Sequence, residues 1–353
     1  MIRPFLILAC TLLPLAMPAA ALDSSGGVTA IAQSAGHYRD LSLSADWVLE
    51  GDWGPGRWLA YAEYSSTPRT DGVSAAYPQA NADAGSALDA NGQGRVQLSE
   101  LHYSWAVQPD LSLSGGLMDT AAFIDRSRIT NDETRHFLGA AFVNNPTIAF
   151  PDYTLGVALD APLSDGSPWG GAVLVAKAKG LADDPSHAYS QLLAQEHGHG
   201  WFSAAVLRHR QDWGHWRLGL WHNSRRSEAL DGRSAAAEGR GLFVGASARA
   251  AGRDFNLRAG LADARVSEVA RFVALAALQP WGRQRLGLAW ARSWPSDESA
   301  APRAAATQIE GFVRWQPGDE TLQISPGVQW LDNPALQPSD SVWVASLRLQ
   351  WNW

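Results

Sequence analysis

Charged side chains set at alternating positions are the groups in this 353-residue chain best placed to do chemistry. Arg217, Arg258, Arg314 and Arg348 each interrupt an apolar run, and Asp119, Asp125, Arg126 and Arg128 cluster in one connecting stretch. Guanidinium groups donate hydrogen bonds and carboxylates accept them, a pairing that suits hydroxyl-rich solutes. Opposed across a narrow water-filled bore, the same groups create a transverse field that orders water and screens solutes by size and polarity. Asp46, Asp160 and Glu310 add acceptors, while Trp221 and Phe312 add rings on which the C–H face of a sugar can stack. Arginine and aspartate at such positions can equally clamp a loop to a wall.

Other chemistry is thin. His187, Glu196, His197 and His199 share one segment, and a His-x-His pair can ligate zinc or copper, although such pairs on loops are more often solvated. Ser203 near these histidines has no nucleophile elbow around it, and Gly26-Gly27 precedes no lysine-bearing phosphate loop. The single cysteine, Cys10, lies in a leader-like segment, so no disulfide or thiolate nucleophile is expected beyond it. The expectation is a chain that is not an enzyme and carries no cofactor or metal.

The elements that would position the charged residues are β-strands. In 341–353, Trp343, Ala345, Leu347, Leu349, Trp351 and Trp353 alternate with Val344, Ser346, Arg348, Gln350 and Asn352, giving one greasy and one wet face. A strand of about 9–11 residues built this way can cross a bilayer with lipid outside and water inside. Arg3, the apolar stretch Phe5 to Met17 and Ala19-Ala20-Ala21 read as a secretory signal peptide over 1–21, leaving one domain from Leu22 to Trp353. Hydrophobic residues are 46% of the chain and mean hydropathy is -0.17, with no apolar run of eighteen after the leader, which excludes a transmembrane helix. Seventeen Trp fit interfacial aromatic girdles. Without Arg3 the chain has 27 basic and 35 acidic residues, a net of -8, which is no nucleic-acid footprint.

Alternation and turn residues place sixteen strands, at 27–36, 39–50, 56–65, 94–107, 110–119, 152–161, 169–179, 199–210, 214–225, 239–250, 254–265, 269–280, 283–294, 305–316, 320–330 and 341–353. Short connections alternate with longer ones, as periplasmic turns alternate with extracellular loops in an outer-membrane barrel. The fold class expected is therefore all-β, a transmembrane antiparallel β-barrel with strand 341–353 closing on 27–36. Asn256 and Arg258, Glu310 and Arg314, Arg217 and Trp221, and Arg348 and Gln350 face inward in this register, whereas 199–210 and 269–280 have no readable phase. The stretch 74–91 reads as a mobile outer loop.

The connection 120–151 is too apolar to stand in water. Phe123, Ile124, Ile129, Phe137, Leu138, Phe142, Val143, Ile148 and Phe150 must be buried, which predicts an inward-folded constriction loop. Thr130 and Glu133 form a Thr-x-x-Glu capping box that predicts a short helix ending near Gly139.

The run Gly116-Leu117-Met118-Asp119-Thr120, with Phe123-Ile124-Asp125, Asn131-Asp132-Glu133, Phe137-Leu138 and Phe142-Val143-Asn144-Asn145-Pro146 before Phe150-Pro151-Asp152, resembles the carbohydrate-selective, OprB-type porin family. The tail is similar in Leu322 to Pro334 and in Leu347-Arg348-Leu349, and the resemblance spans Asp46 to Trp353. Met118 departs from it, standing where the family often has a basic residue. The resemblance implies passive, sugar-selective diffusion across the outer membrane of a Gram-negative bacterium, with no energy coupling. The expected partners are small carbohydrates or other hydrophilic solutes, outer-membrane lipid and the barrel-assembly machinery, as monomer or homotrimer. A non-selective general porin and a polysaccharide exporter with a uniformly charged bore are the alternatives.

Overall fold

The computed structural model describes residues 22–164, 166–183, 185–186, 188–193, 200–318 and 321–353. The leader over 1–21 with Cys10, and His187, Glu196, His197 and His199, lie outside the described residues. The rest of the chain forms β1 (Leu22–Ala35), β2 (Tyr38–Trp53), β3 (Gly56–Ser65), β4 (Val96–Gln108), β5 (Leu111–Met118), β6 (Thr154–Ala161), β7 (Trp169–Lys177) and β8 (Trp201–Gln211). The second half adds β9 (Gly214–Ser227), β10 (Ala237–Ala250), β11 (Arg253–Ala262), β12 (Val269–Trp281), β13 (Gln284–Pro295), β14 (Ala306–Trp315), β15 (Leu322–Asp332) and β16 (Val342–Asn352).

All sixteen expected strands are present, each antiparallel to its neighbours, and the sheet closes on itself. The least regular of them by sequence, β1, starts five residues earlier than expected, at Leu22. It pairs with β2 from Leu22↔Gly51 to Ala35↔Tyr38 and with β16 from Gly27↔Asn352 to Ser34↔Ala345. Closure leaves no unpaired edge, the condition a sheet must meet to span lipid.

The outer wall is apolar at every strand. Leu218 and Leu220 on β9, Phe255 and Leu257 on β11, and Leu347 and Leu349 on β16 are exposed on it, as their alternation requires. Trp53, Trp105, Trp169, Trp213, Trp281, Trp315, Trp351 and Trp353 are also exposed and gather at the end that carries the short turns. That is the aromatic girdle of a transmembrane barrel.

The two strands without readable phase acquire one here. Phe202, Ala204 and Val206 of β8, and Phe272, Ala274, Ala276 and Leu278 of β12, are buried on the inner face. Their outer faces meet lipid and their inner faces meet the folded loop 119–153, so both sides are apolar and alternation vanishes.

Two loop expectations are corrected. No helix forms over 130–139: the Asp132 side chain instead accepts from the Arg135 backbone N–H at 2.9 Å and the Thr134 hydroxyl at 2.8 Å, closing a turn. One-turn helices form on either side, at Ala121–Ile124 and Ala140–Val143, and Gly139 precedes the second rather than ending the first. The stretch 74–91 is no exposed outer loop, because the connection 66–95 turns inward and fully buries Val73, Ala80 and Ala87. Gln33 and Gln329 both donate to the Ala80 carbonyl, at 3.1 and 2.8 Å, and the Ala82 N–H donates to Leu138 at 2.8 Å.

Leu347 lies at the middle of β16 on the lipid face. Leu347→Arg is expected to destabilise the barrel in lipid by roughly 2–4 kcal/mol, measured by denaturant unfolding in bilayers. Stability equal to wild type would mean that this face does not meet hydrocarbon.

Candidate functional site

The loop 119–153 is fixed inside the barrel first by its apolar residues. Ile124 and Ile148, with Met118, pack on Leu174 of β7, Phe202 of β8, Trp221 of β9 and Phe243 of β10. Further along, Ile129, Phe137 and Phe142 pack on Phe272 and Leu278 of β12 and Phe312 of β14, with Phe137 5.1 Å from Phe312 between ring centroids. Each large apolar side chain buried this way contributes roughly 1.5–3 kcal/mol.

Between these two clusters lies a buried ionic clamp. Asp125 accepts from Arg217 at 2.6 Å and from Arg258 at 3.2 Å, and all three side chains are almost wholly buried. Two guanidiniums on one carboxylate leave N–H donors over, which carbonyls of the loop backbone accept. Arg258 donates to the carbonyls of Ala141 and Val143, at 3.2 and 3.1 Å, and Arg217 donates to that of Arg126. The pattern extends along the wall: Arg208 donates to Phe123 O, Arg314 to Arg135 O at 2.6 Å and Arg348 to Glu133 O at 2.5 Å. Glu310 does the converse, accepting the N–H groups of Leu138 and Gly139 at 2.7 and 2.8 Å. At Gly260 of β11 a Cβ would lie 1.9 Å from the Thr147 hydroxyl, so only glycine lets the loop approach there.

This geometry revises the expected pore lining. Arg217, Arg258, Arg314, Arg348, Glu310 and Trp221 face inward as their register requires, but the loop packs over them and they brace it, with Arg314 also bordering a second cavity beneath the loop. Asp125 joins that clamp, so the expected field between loop carboxylates and these wall arginines does not cross open water. Asp119, Arg126 and Arg128 do border the open space.

The open space is a cavity of about 910 Å³ between the loop and the wall formed by β2 to β6. From the wall come Asp46 of β2, Tyr61 and Glu63 of β3, Glu100 and His102 of β4, and Asp160 of β6. The inward loop 66–95 adds Asp83, and the loop 119–153 adds Asp132, Glu133, Asp152 and Tyr153. Nine carboxylates therefore border this bore against two guanidiniums, those of Arg126 and Arg128. Neutral donors hold four of these acids in place: Tyr61 donates to Asp46 at 2.6 Å, Gln97 to Glu63 at 3.1 Å, Ser44 to Asp83 at 2.8 Å and the Asp119 N–H to Glu100 at 3.1 Å. Asp160 alone of the wall acids has a guanidinium, that of Arg208 at 2.7 Å.

Sequence reasoning singled out Asp46, Asp119 and Asp160 but missed Glu63, Asp83, Glu100, Asp132, Glu133 and Asp152 as lining residues. Glu63 was legible from the alternation of 56–65. Glu100 was not, because β4 carries a bulge: Tyr61 and Ala62 oppose Glu100 and Leu98, leaving Ser99 as an extra residue that shifts the phase.

A second cavity, about 560 Å³, lies under the loop at the short-turn end. Arg128, Arg135, Arg285 and Arg314 border it with Asp132 and Asp254, and it shares Arg128, Asp132 and His136 with the acidic bore. Among the described residues no group of three or more His, Cys, Asp or Glu side chains is arranged to hold a metal ion.

Asp125→Ala leaves two buried guanidiniums without their carboxylate, which is expected to cost roughly 3–5 kcal/mol and loosen the loop. Single-channel recording should then show larger and noisier openings than wild type; unchanged openings would mean the clamp does not set the bore. Burial, reinforced by neighbouring carboxylates, pushes the Asp83 carboxyl up to about 7 and that of Glu133 up to about 8. Both lose charge as pH falls from 9 to 6, so conductance in dilute KCl should fall over that range, and a flat profile would mean these acids do not face the current.

No protein-family model and no curated protein matches the chain. Solved structures do. Pseudomonas putida OprB at high pH is similar with 12% identity and a TM-score of 0.73 over 94% of each chain. OmpT, an outer membrane protein of Vibrio cholerae in its trimer form, is similar with 10% identity and a TM-score of 0.59 over 95% of this chain and all of the other. A mutant of Rh. blastica porin gives 11% identity and a TM-score of 0.57 over 94% of this chain and all of the other. Likeness at these identities concerns architecture, and by that measure the chain is a barrel of the porin fold.

Proposed function

We propose that this chain is an outer-membrane porin through which small hydrophilic solutes, neutral sugars among them, diffuse passively. The observation that carries the reading is the bore itself. Its lining runs from Asp152 and Asp83, near the long loops, to Ser104, Ser112 and Asp160, near the short turns. By the rule that turns are periplasmic and loops extracellular, the first of these ends faces the cell exterior and the second the periplasm. The loop 119–153 narrows the passage without filling it, and no energy-coupling element is needed for movement down a gradient.

Support for sugars comes from the bore side of the loop. Carboxylates there accept hydroxyl protons, and the rings of Tyr61 and Tyr153, 6.1 Å apart, together with Phe123 offer faces for C–H stacking. The guanidinium donors first expected to serve sugars are engaged by the loop backbone, which weakens sugar selectivity relative to a general porin. A polysaccharide exporter is the second reading, because the bore carries mostly one sign of charge. That sign is negative, and it opposes an anionic polymer.

Purified protein in planar bilayers should give ohmic conductance that falls when a permeant monosaccharide is added, and proteoliposomes should swell in that sugar. A barrel that inserts but passes no current would end the pore reading. Conductance indifferent to sugar would leave a general porin.

A further inference from the structure

We infer that the bore selects by charge, admitting small cations, such as solutes bearing an ammonium or guanidinium group on a polar skeleton, ahead of anions of the same size. The inference rests on the reading of the barrel as an open pore and names the solute class that the pore favours.

Three independent features of the geometry carry it. Carboxylates outnumber guanidiniums nine to two around the bore. Hydrogen-bond partners do not cancel that charge: Asp46, Glu63 and Asp83 are held by a tyrosine hydroxyl, a glutamine amide and a serine hydroxyl, all neutral donors. Among the described residues, no lysine or arginine forms an ion pair with these three. Thirdly, the arginines of the opposite wall do not border the passage, each lying beneath the loop and donating to one of its backbone carbonyls.

The consequence is a field, not a binding site. A narrow aqueous passage with low-dielectric walls of one charge sign concentrates counter-ions and repels co-ions. Its carboxylates come from the wall at β2, β3, β4 and β6 and from both inward loops, so a solute cannot pass at a distance from all of them. At an ionic strength of about 0.15 M the screening length is about 8 Å, so charges lining the passage still act on a solute moving among them at physiological salt.

The test uses the full mature chain in planar bilayers under a KCl gradient. The reversal potential should report potassium favoured over chloride by about tenfold, the lower bound for focusing of this kind. Asp46→Asn combined with Glu63→Gln, which keeps the hydrogen-bonding shapes, should move the ratio toward one. If that pair fails to assemble, Glu133→Gln alone, recorded at pH 9 where Glu133 is ionised, should lower the ratio by a smaller factor. In proteoliposomes lysine should enter faster than glutamate. Open channels with a ratio at or below one, or glutamate entering as fast as lysine, would overturn charge selection while leaving a pore. A barrel with no conductance would instead overturn the pore itself.

Discussion

A connecting loop can remain inside a barrel only if the wall satisfies its backbone, and here the wall does so with arginine. The loop 119–153 brings its carbonyls into the lumen, where five guanidiniums, from Arg208, Arg217, Arg258, Arg314 and Arg348, donate to them. Buried carbonyls without partners are costly, and so are buried cations without acceptors. Each problem is the other's solution. Asp125 adds the one loop carboxylate deep in the contact, between apolar clusters that exclude water from it.

The character of the bore follows from that arrangement. The inner wall from β7 through β14, with Arg348 of β16, holds the loop through apolar side chains, arginines and Glu310. The wall from β2 to β6 borders the open passage together with the free side of the loop, and acids outnumber arginines around it. A net charge of -7 spread over the whole chain would not concentrate acids in one place. Segregation does, because the positive side chains that point inward are drawn to loop carbonyls, while carboxylates are left to hydroxyls, amides and water.

Legibility from sequence followed the physics of each segment. Strands with one lipid face and one wet face, such as β11 and β16, were readable to within a few residues, and so was the parity that closes β16 on β1. β8 and β12 resisted because the loop makes their second face apolar too. The helix expected over 130–139 failed because Asn131, next to the expected cap, takes a left-handed backbone conformation with φ 65°, through which a helix cannot run. The loop 66–95 looked soluble, yet its alanines and Val73 are small enough to fit beneath neighbouring segments, and the amides of Gln33, Gln308 and Gln329 hold its backbone inward.

Sequence by itself determined the barrel, the inward direction of most charged residues and the burial of the loop 119–153, since these depend on period-two alternation and on apolar content, both local properties. Only the tertiary structure decided which inward charges meet water. Arg348 and Asp46 both point into the lumen, but one lies beneath a loop and the other beside an open passage. That difference is set by where a segment distant in the chain comes to rest, and no local pattern encodes it.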